Sequence, residues 1–123
     1  MNKTTLTVIG IGLIVGLAVL ARFAPRADGG QFDAFAQCLA AQGVTMYGAD
    51  WCPHCQNEKK AFGSSFKYVP YIECPKNPEV CLAEGVKGYP TWIFLDGRKL
   101  EGEQGVERLA KESGCLLPQI EQY

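Results

Sequence analysis

Residues 51–55 are Trp51-Cys52-Pro53-His54-Cys55, and they place two thiols three positions apart. An apolar run at residues 44–47 comes shortly before them and predicts a short buried strand. The residues that follow have helical spacing of apolar side chains. A helix that begins near Cys52 would hold Pro53 in its first turn, where the missing N–H of proline costs nothing. The sequence therefore predicts a strand-to-helix turn that carries both cysteines.

This position of the two cysteines favours thiol chemistry. The Cys52 sulfur would lie at a helix N-terminus, where backbone N–H groups and the positive end of the helix dipole stabilise a thiolate. Cys55 would lie one turn later on the same face, within reach to close a disulfide. We therefore predict that Cys52 attacks and that Cys55 resolves. A protonated His54 would also favour the thiolate, and the alternative is that His54 is an exposed helix residue without a role.

Other uses of a C-x-x-C pair fit the chain less well. A zinc site needs a second pair of ligands, and the other cysteines do not form one. Covalent haem attachment needs a histidine directly after the second cysteine, where this chain has Gln56. A purely structural disulfide between Cys52 and Cys55 stays open. We predict a redox-active disulfide, with no metal and no further cofactor.

Composition narrows the class of protein and its compartment. The chain has 123 residues and a formal net charge of −1, which argues against nucleic acid as a partner. Six cysteines are many for so short a chain. An even number of cysteines is typical of proteins in an oxidising compartment, where thiols pair.

The N-terminus predicts a membrane segment. Residues 5–21 contain no charge and consist mainly of Leu, Ile, Val, Gly and Ala. At about 1.5 Å per residue, such a helix is about 25 Å long, which is barely enough for a hydrocarbon core of about 30 Å and lies at the short end of membrane-spanning helices. A cleaved signal peptide is the alternative, but residues 21–26 contain no good small-x-small cleavage site. Flanking positive charges do not decide the orientation, so the cysteine chemistry places the C-terminal part on the extracytoplasmic side of a single-pass membrane protein.

The predicted organisation has four parts. Residues 1–24 form the membrane anchor or signal peptide, and residues 25–31 form a linker. Residues 32–117 form one compact domain, and residues 118–123 form a tail. Within the domain, the expected order is helix, strand, helix, strand, helix, hairpin, helix, which predicts an α/β fold with a mixed four-stranded sheet flanked by helices.

Local signals support that order. Gly43 would end the first helix, and Pro70 places the strand at residues 68–73 on an edge of the sheet. Pro90 stands just before an apolar run and would begin a strand. The pair Asp96-Gly97 is a two-residue hairpin signal that would link this strand to residues 99–101.

Four further cysteines remain, and three pairings of them are possible. Cys74 and Cys81 are close in sequence across a turn bounded by prolines, which favours that pair and leaves Cys38 with Cys115. A small core gains much from such cross-links, so both pairs are predicted to be structural. A redox relay at Cys74 and Cys81 is the functional alternative.

The chain resembles thioredoxin-fold proteins over residues 32–115. The resemblance is carried by the stretch at residues 51–55, by Tyr89-Pro90-Thr91 before the hairpin, and by the closing helix. More narrowly, the chain resembles the thioredoxin-like domain of bacterial vitamin K epoxide reductase (VKOR) homologues. This narrower resemblance also involves residues 46–49, Phe62-Gly63 and Leu109-Ala110.

The resemblance implies a disulfide carrier. Cys52 would be the nucleophile and Cys55 the resolving thiol, with Pro53 and His54 between them as parts of the catalytic motif. The substrate-binding residues would be Trp51, Tyr89 and Pro90. Pro90 would be a cis-proline facing the disulfide, and Tyr89 would present backbone groups to a substrate peptide.

The chain departs from the family pattern in two ways. Thioredoxins carry a buried aspartate six residues before the nucleophile, where this chain has Met46, so their proton-handling scheme does not transfer. The VKOR membrane domain is replaced by one predicted anchor helix, so a VKOR-like or other membrane redox partner would be a separate chain.

The direction of electron flow follows from the residues between the cysteines. His54 should stabilise the reduced form, which makes the disulfide a stronger oxidant. We therefore expect a donor of disulfides to protein thiols. The alternatives are a reductant of apocytochrome or other extracytoplasmic thiols, and a non-catalytic thioredoxin-fold binding module.

Overall fold

The computed structural model describes residues 29–119. It contains four α-helices, α1 (Asp33–Ala41), α2 (Pro53–Phe62), α3 (Pro78–Ala83) and α4 (Gly105–Ser113), and four strands, β1 (Thr45–Gly48), β2 (Tyr71–Glu73), β3 (Thr91–Ile93) and β4 (Lys99–Glu101). Two 3₁₀ turns, Gly63–Tyr68 and Cys74–Lys76, follow α2 and β2. The predicted run at residues 5–21 lies outside these residues. Within them, no helix combines the length and the apolar character needed to cross a bilayer.

The four strands form one mixed sheet in the order β2-β1-β3-β4. Strand β1 pairs in parallel with β2 and antiparallel with β3, and β3 pairs antiparallel with β4. The expected mixed four-stranded sheet with flanking helices, thioredoxin-like in its organisation, is confirmed. Strand β2 lies at an edge, as the position of Pro70 indicates.

The sheet separates two apolar clusters. The larger cluster packs α1, α2 and α4 against one face, with Met46, Trp92 and Phe62 fully or almost fully buried in it. The smaller cluster lies on the other face and contains Tyr47 and Ile93 together with Cys74 and Cys81. Because side chains alternate along a strand, Met46 and Gly48 both face the larger cluster and therefore face α2.

Two disulfides brace this fold. Cys38 on α1 is bonded to Cys115 just after α4, with a sulfur–sulfur distance of 2.03 Å. Cys74 is bonded to Cys81, with a distance of 2.05 Å. All four sulfurs belong to residues packed in or against the two clusters. The first bond closes a long loop between the two ends of the domain, and the second holds α3 against the sheet.

Two local details differ from the sequence prediction. The chain continues after α2 as a 3₁₀ turn from Gly63 to Tyr68, so the following strand covers only Tyr71–Glu73 and not residues 68–73. The hairpin at Asp96-Gly97 is present but has three loop residues, because the Phe94 N–H donates to the Arg98 carbonyl. Gly97 has a φ of 85°, the left-handed conformation that ends such a three-residue loop.

Candidate active site

Cys52 caps the N-terminus of α2. Its backbone is extended, with φ −76° and ψ 120°, and Pro53 occupies the first helical turn. The Cys55 N–H donates to the Cys52 sulfur over 3.3 Å, and the Gln56 N–H donates to the Cys52 carbonyl over 3.0 Å. A helix N-terminus has N–H groups without helical partners, and here one of them points at a sulfur. This arrangement stabilises negative charge on Cys52.

The two thiols of this motif differ in their surroundings. Both are free, and Cys52 retains 5% of its surface exposed whereas Cys55 retains none. Burial, together with its interaction with the Cys52 sulfur, raises the pKa of the Cys55 thiol to about 12. Cys55 is therefore a thiol at neutral pH, and only Cys52 touches solvent.

A cis peptide bond lies beside the Cys52 sulfur. The bond joins Tyr89 to Pro90, and the Cys52 S–H donates to the Tyr89 carbonyl over 3.6 Å. Pro90 itself is buried. Trp51 stands edge-on to Tyr89 at 6.0 Å between ring centroids, and 68% of its surface is exposed. The structure thus brings the sequence-predicted residues Trp51 and Tyr89 to the surface beside Cys52, with the buried Pro90 directly after Tyr89 in the chain.

His54 is exposed and pairs with a residue that sequence reasoning missed. Its Nδ1 is hydrogen bonded to the carboxylate of Glu103, which lies two residues before α4. The hydrogen bond from His54 lowers the pKa of Glu103. The two residues are 49 positions apart, so no local sequence pattern predicts the contact. A protonated His54 therefore lies beside the negative charge of Glu103. This neighbour weakens the electrostatic effect of His54 on Cys52.

A second missed residue is Glu58, whose side chain is 2% exposed on the inner face of α2. Its carboxylate accepts three hydrogen bonds, from the Trp92 indole N–H at 2.6 Å and from the backbone N–H groups of Gln104 and Gly105 at 3.1 and 2.7 Å. A sequence signal for it exists. Cys55, Glu58 and Phe62 have the i, i+3, i+7 spacing of one helix face, so the carboxylate had to point inward.

Comparisons with known proteins agree with this site. No protein-family model matches the chain. It is 37% identical over 95 residues to the thiol-disulfide oxidoreductase LTO1 of Arabidopsis thaliana, covering 70% of this chain and 25% of that protein. It is 30% identical over 105 residues to the thioredoxin domain-containing protein 5 homolog of Drosophila melanogaster, covering 74% of this chain and 23% of that protein.

The name of a further relative does not refer to thiol–disulfide chemistry. The chain is 27% identical over 119 residues to the cytochrome b6-f complex iron-sulfur subunit of Trichodesmium erythraeum (strain IMS101), covering 96% of this chain and 55% of that protein. Residues 29–119 contain no cluster of three or more His, Cys, Asp or Glu side chains placed to share a metal ion.

Fold, site and relatives together support one class of protein. The mixed sheet, the capping Cys52, the buried Cys55 and the names of two relatives support a protein disulfide oxidoreductase of thioredoxin-like fold. The chain spans about a quarter of the length of those two relatives and about half of the third.

Proposed function

We propose that this protein exchanges disulfides with protein substrates through Cys52 and Cys55, and that it acts in the oxidising direction. One observation carries the proposal. The Cys52 sulfur caps α2 at the surface, accepts a hydrogen bond from the Cys55 N–H, and has the buried Cys55 thiol one helical turn behind it. Such a pair has one sulfur that a substrate can reach and one that only its partner can reach.

The exchange has two steps in the oxidising direction. A substrate thiolate attacks the Cys52 sulfur of the Cys52–Cys55 disulfide, a new bond to Cys52 forms, and the electron pair of the broken bond goes to Cys55. A second substrate thiolate then attacks the substrate sulfur of this mixed disulfide. Cys52 leaves as a thiolate, the substrate gains its disulfide, and the protein holds the two electrons as a dithiol. The N-terminus of α2 stabilises the leaving Cys52 thiolate.

The direction follows from which redox state the protein stabilises. Interactions made only with the Cys52 thiolate stabilise the dithiol form, and this makes the disulfide a stronger oxidant. The Cys55 N–H and the dipole of the ten-residue helix α2 are such interactions. His54 adds to them when it is protonated, and Glu103 reduces its contribution.

A protein substrate fits the surface around Cys52. Trp51 is exposed, the Tyr89 carbonyl lies next to the sulfur, and both belong to an open patch. An extended substrate segment could contact Trp51 and the backbone of Tyr89 while its cysteine meets Cys52, with Pro90 fixing the direction of that backbone.

The location and the redox partner complete the proposal. The uncharged run at residues 5–21 supports a membrane anchor, and the dense cysteine content supports an extracytoplasmic position for the domain. After each turnover the dithiol must lose two electrons. We propose that a separate VKOR-like membrane protein accepts them, which rests on the sequence resemblance described above.

Trapping of substrates tests the proposal. In cells, the Cys52 thiolate of Cys55→Ser should attack substrate disulfides in the reverse of this exchange and accumulate mixed disulfides, because Cys55 is no longer there to resolve them. Cys52→Ser should accumulate none. The readout is non-reducing electrophoresis of the tagged full chain, and equal absence of adducts in both variants would contradict the proposal and favour a binding module.

The direction needs a second assay. The oxidised protein should speed the recovery of activity by a reduced, unfolded disulfide protein, and it should be a poor catalyst of insulin reduction. The opposite ranking would favour a reductant of extracytoplasmic thiols.

A further inference from the structure

A half-buried polar group, the Tyr71 hydroxyl, lies near the Cys55 thiol. A Cβ atom added to Gly48 would lie 2.9 Å from the Cys55 sulfur, 3.2 Å from a ring carbon of Tyr71 and 3.4 Å from the Tyr71 hydroxyl oxygen. The sulfur and the hydroxyl therefore both pack against Gly48, and they can approach it this closely because residue 48 has no side chain. The Tyr71 hydroxyl is the polar group of β2 nearest to Gly48.

Strand pairing explains why these groups meet. Met46 is aligned with Tyr71 and Gly48 with Glu73 in the parallel β1–β2 pair. Because side chains alternate along a strand, Tyr71 and Glu73 share one face of β2, and it is the face that Gly48 presents to α2. Both side chains are partly buried.

The Tyr71 hydroxyl is hydrogen bonded to the carboxylate of Glu73. It donates a hydrogen bond of 2.5 Å to Glu73 Oε2, and the other oxygen of Glu73 accepts the Asp50 N–H at 3.0 Å. Glu73 is partly exposed, so it can exchange protons with solvent. A chain of groups therefore runs from the Cys55 sulfur, past the Tyr71 hydroxyl, to a carboxylate in contact with water.

The surroundings of Tyr71 keep its hydroxyl neutral. Burial and the carboxylates of Glu73 and Asp50 raise the pKa of Tyr71, so its hydroxyl keeps its proton at every physiological pH. Lys59 lies on the other side, with Nζ 2.9 Å from Asp50 Oδ1 and 4.0 Å from the centre of the Tyr71 ring. A neutral hydroxyl can pass a proton by receiving one and giving one, without ever carrying a charge.

We propose that Tyr71 and Glu73 form a proton relay for Cys55, with Tyr71 as the group that lies with the Cys55 sulfur against Gly48 and Glu73 as the carboxylate that connects it to solvent. This inference rests on the proposed function and adds to it. It assigns to β2 the proton handling for which the chain has Met46, a fully buried apolar side chain, in place of an aspartate.

The proposed relay delivers a proton to Cys55 in one direction of the exchange and removes it in the other. When substrate attacks Cys52, the electron pair of the Cys52–Cys55 bond goes to Cys55. Glu73 first takes a proton from solvent and gives it to Tyr71, which gives its own proton to that sulfur, while the attacking substrate thiol has released its proton to solvent. In the reverse step, Cys55 gives its proton to Tyr71, Tyr71 gives one to Glu73, and the Cys55 thiolate attacks Cys52 and expels the substrate thiolate.

The reverse step can be measured separately with Ellman's reagent, 5,5′-dithiobis(2-nitrobenzoic acid). The reduced full chain should release the coloured thiolate in two phases. In the first phase Cys52 attacks the reagent and forms a mixed disulfide, and in the second phase Cys55 resolves it and releases a second equivalent. Cys55→Ser should show only the first phase. Stopped-flow absorbance between pH 6 and pH 10 follows both.

Tyr71→Phe removes one oxygen atom and keeps the ring. The variant should leave the rate of the first phase within about twofold and slow the second phase by about tenfold or more near pH 6–7, as expected when a positioned acid–base group is lost. The difference should shrink as pH rises, because hydroxide can then take the Cys55 proton directly. Glu73→Gln should show the same pH-dependent loss. Tyr68→Phe, an exposed tyrosine away from this cluster, is the matched control and should behave as wild type.

Two results would overturn the relay. One is a second phase within about twofold of wild type at every pH in both Tyr71→Phe and Glu73→Gln, against the tenfold or greater effect expected of acid–base catalysis. The other is a slowing by one constant factor across the whole pH range, which would indicate altered packing. Failure of the proposed function looks different, because the wild-type protein would then lack a fast first phase or would not close the Cys52–Cys55 bond at all.

Discussion

Replacement of the buried Glu58 should cost the fold several kcal/mol, because this one carboxylate ties α2 to β3 and to the start of α4. It accepts hydrogen bonds from Trp92, which is fully buried, and from the half-buried backbone N–H groups of Gln104 and Gly105. A hydrogen bond to a charged group contributes about 1.5–3 kcal/mol, and a buried donor left without a partner costs about 1–3 kcal/mol.

These contributions give different expectations for two substitutions. In Glu58→Ala, water can reach the half-buried amides of Gln104 and Gly105 but not the indole of Trp92, so the expected loss in free energy of unfolding is about 3–5 kcal/mol. Glu58→Gln keeps one acceptor oxygen but sets an amide NH₂ where the second oxygen was. The expected loss is about 1–3 kcal/mol, smaller than for alanine.

The assay is urea unfolding of the oxidised full chain in mild detergent, followed by tryptophan fluorescence. The midpoint should fall while the slope with urea stays constant, which marks a change in stability and not in the surface exposed on unfolding. Glu107→Ala, on the exposed face of α4, is the control and should stay within about 0.5 kcal/mol of wild type. A loss of less than about 1 kcal/mol for Glu58→Ala would refute the reasoning about its three hydrogen bonds.

Three further predictions concern the cysteines and Gly48. The pKa of Cys55 is higher in the folded protein than the ordinary thiol value of 9.0, so the stability this contributes to the reduced protein is complete below about pH 9 and is lost as pH rises toward 12. Urea midpoints at pH 7–10 should therefore fall more steeply for the reduced wild type than for reduced Cys55→Ala, and parallel curves would contradict this. Cys38→Ser opens a loop of 77 residues and Cys74→Ser opens one of 7. The losses in unfolding free energy should therefore be about 4.5 kcal/mol for Cys38→Ser and about 2.4 kcal/mol for Cys74→Ser. Calorimetry that shows the reverse order would be inconsistent with the loop-closure account. Gly48→Ala would force a Cβ to within 2.9 Å of the Cys55 sulfur, so it should destabilise the protein by about 1–3 kcal/mol and slow resolution by Cys55, whereas unchanged midpoints and rates would show that the space is not tightly packed.

The parts of the site that local sequence could predict are those built from neighbouring residues. Cys52 as a helix cap, Pro53 in the first turn and Cys55 one turn later all follow from residues 51–55 and from helix geometry. The hairpin followed from Asp96-Gly97, although two-residue and three-residue loops share that signal and only the Phe94–Arg98 pairing distinguishes them.

The parts that could not be predicted depend on contacts between distant segments. Glu103 reaches His54 across 49 residues, and Glu58 receives donors from the start of α4. Tyr71 meets the space beside Cys55 only because β1 and β2 pair in one register. A shift of that register by one residue would turn Tyr71 to the other face of the sheet, and nothing in either strand alone specifies the alignment.

The membrane anchor and the orientation of the domain stay predictions, since residues 5–21 lie outside the described part of the chain. A phosphatase fused after Tyr123 would test them. Activity in the extracytoplasmic compartment is expected, and activity confined to the cytoplasm would contradict the proposed topology.

The reduction potential of the Cys52–Cys55 couple tests the central claim most directly. The protein is equilibrated with glutathione buffers of graded ratio, the thiols are alkylated, and mass spectrometry counts the oxidised fraction. A disulfide donor with a stabilised Cys52 thiolate should have a potential above about −200 mV, on the oxidising side of the glutathione pool. A value near −270 mV or below, in the range of thioredoxin, would contradict the account and make this protein a reductant.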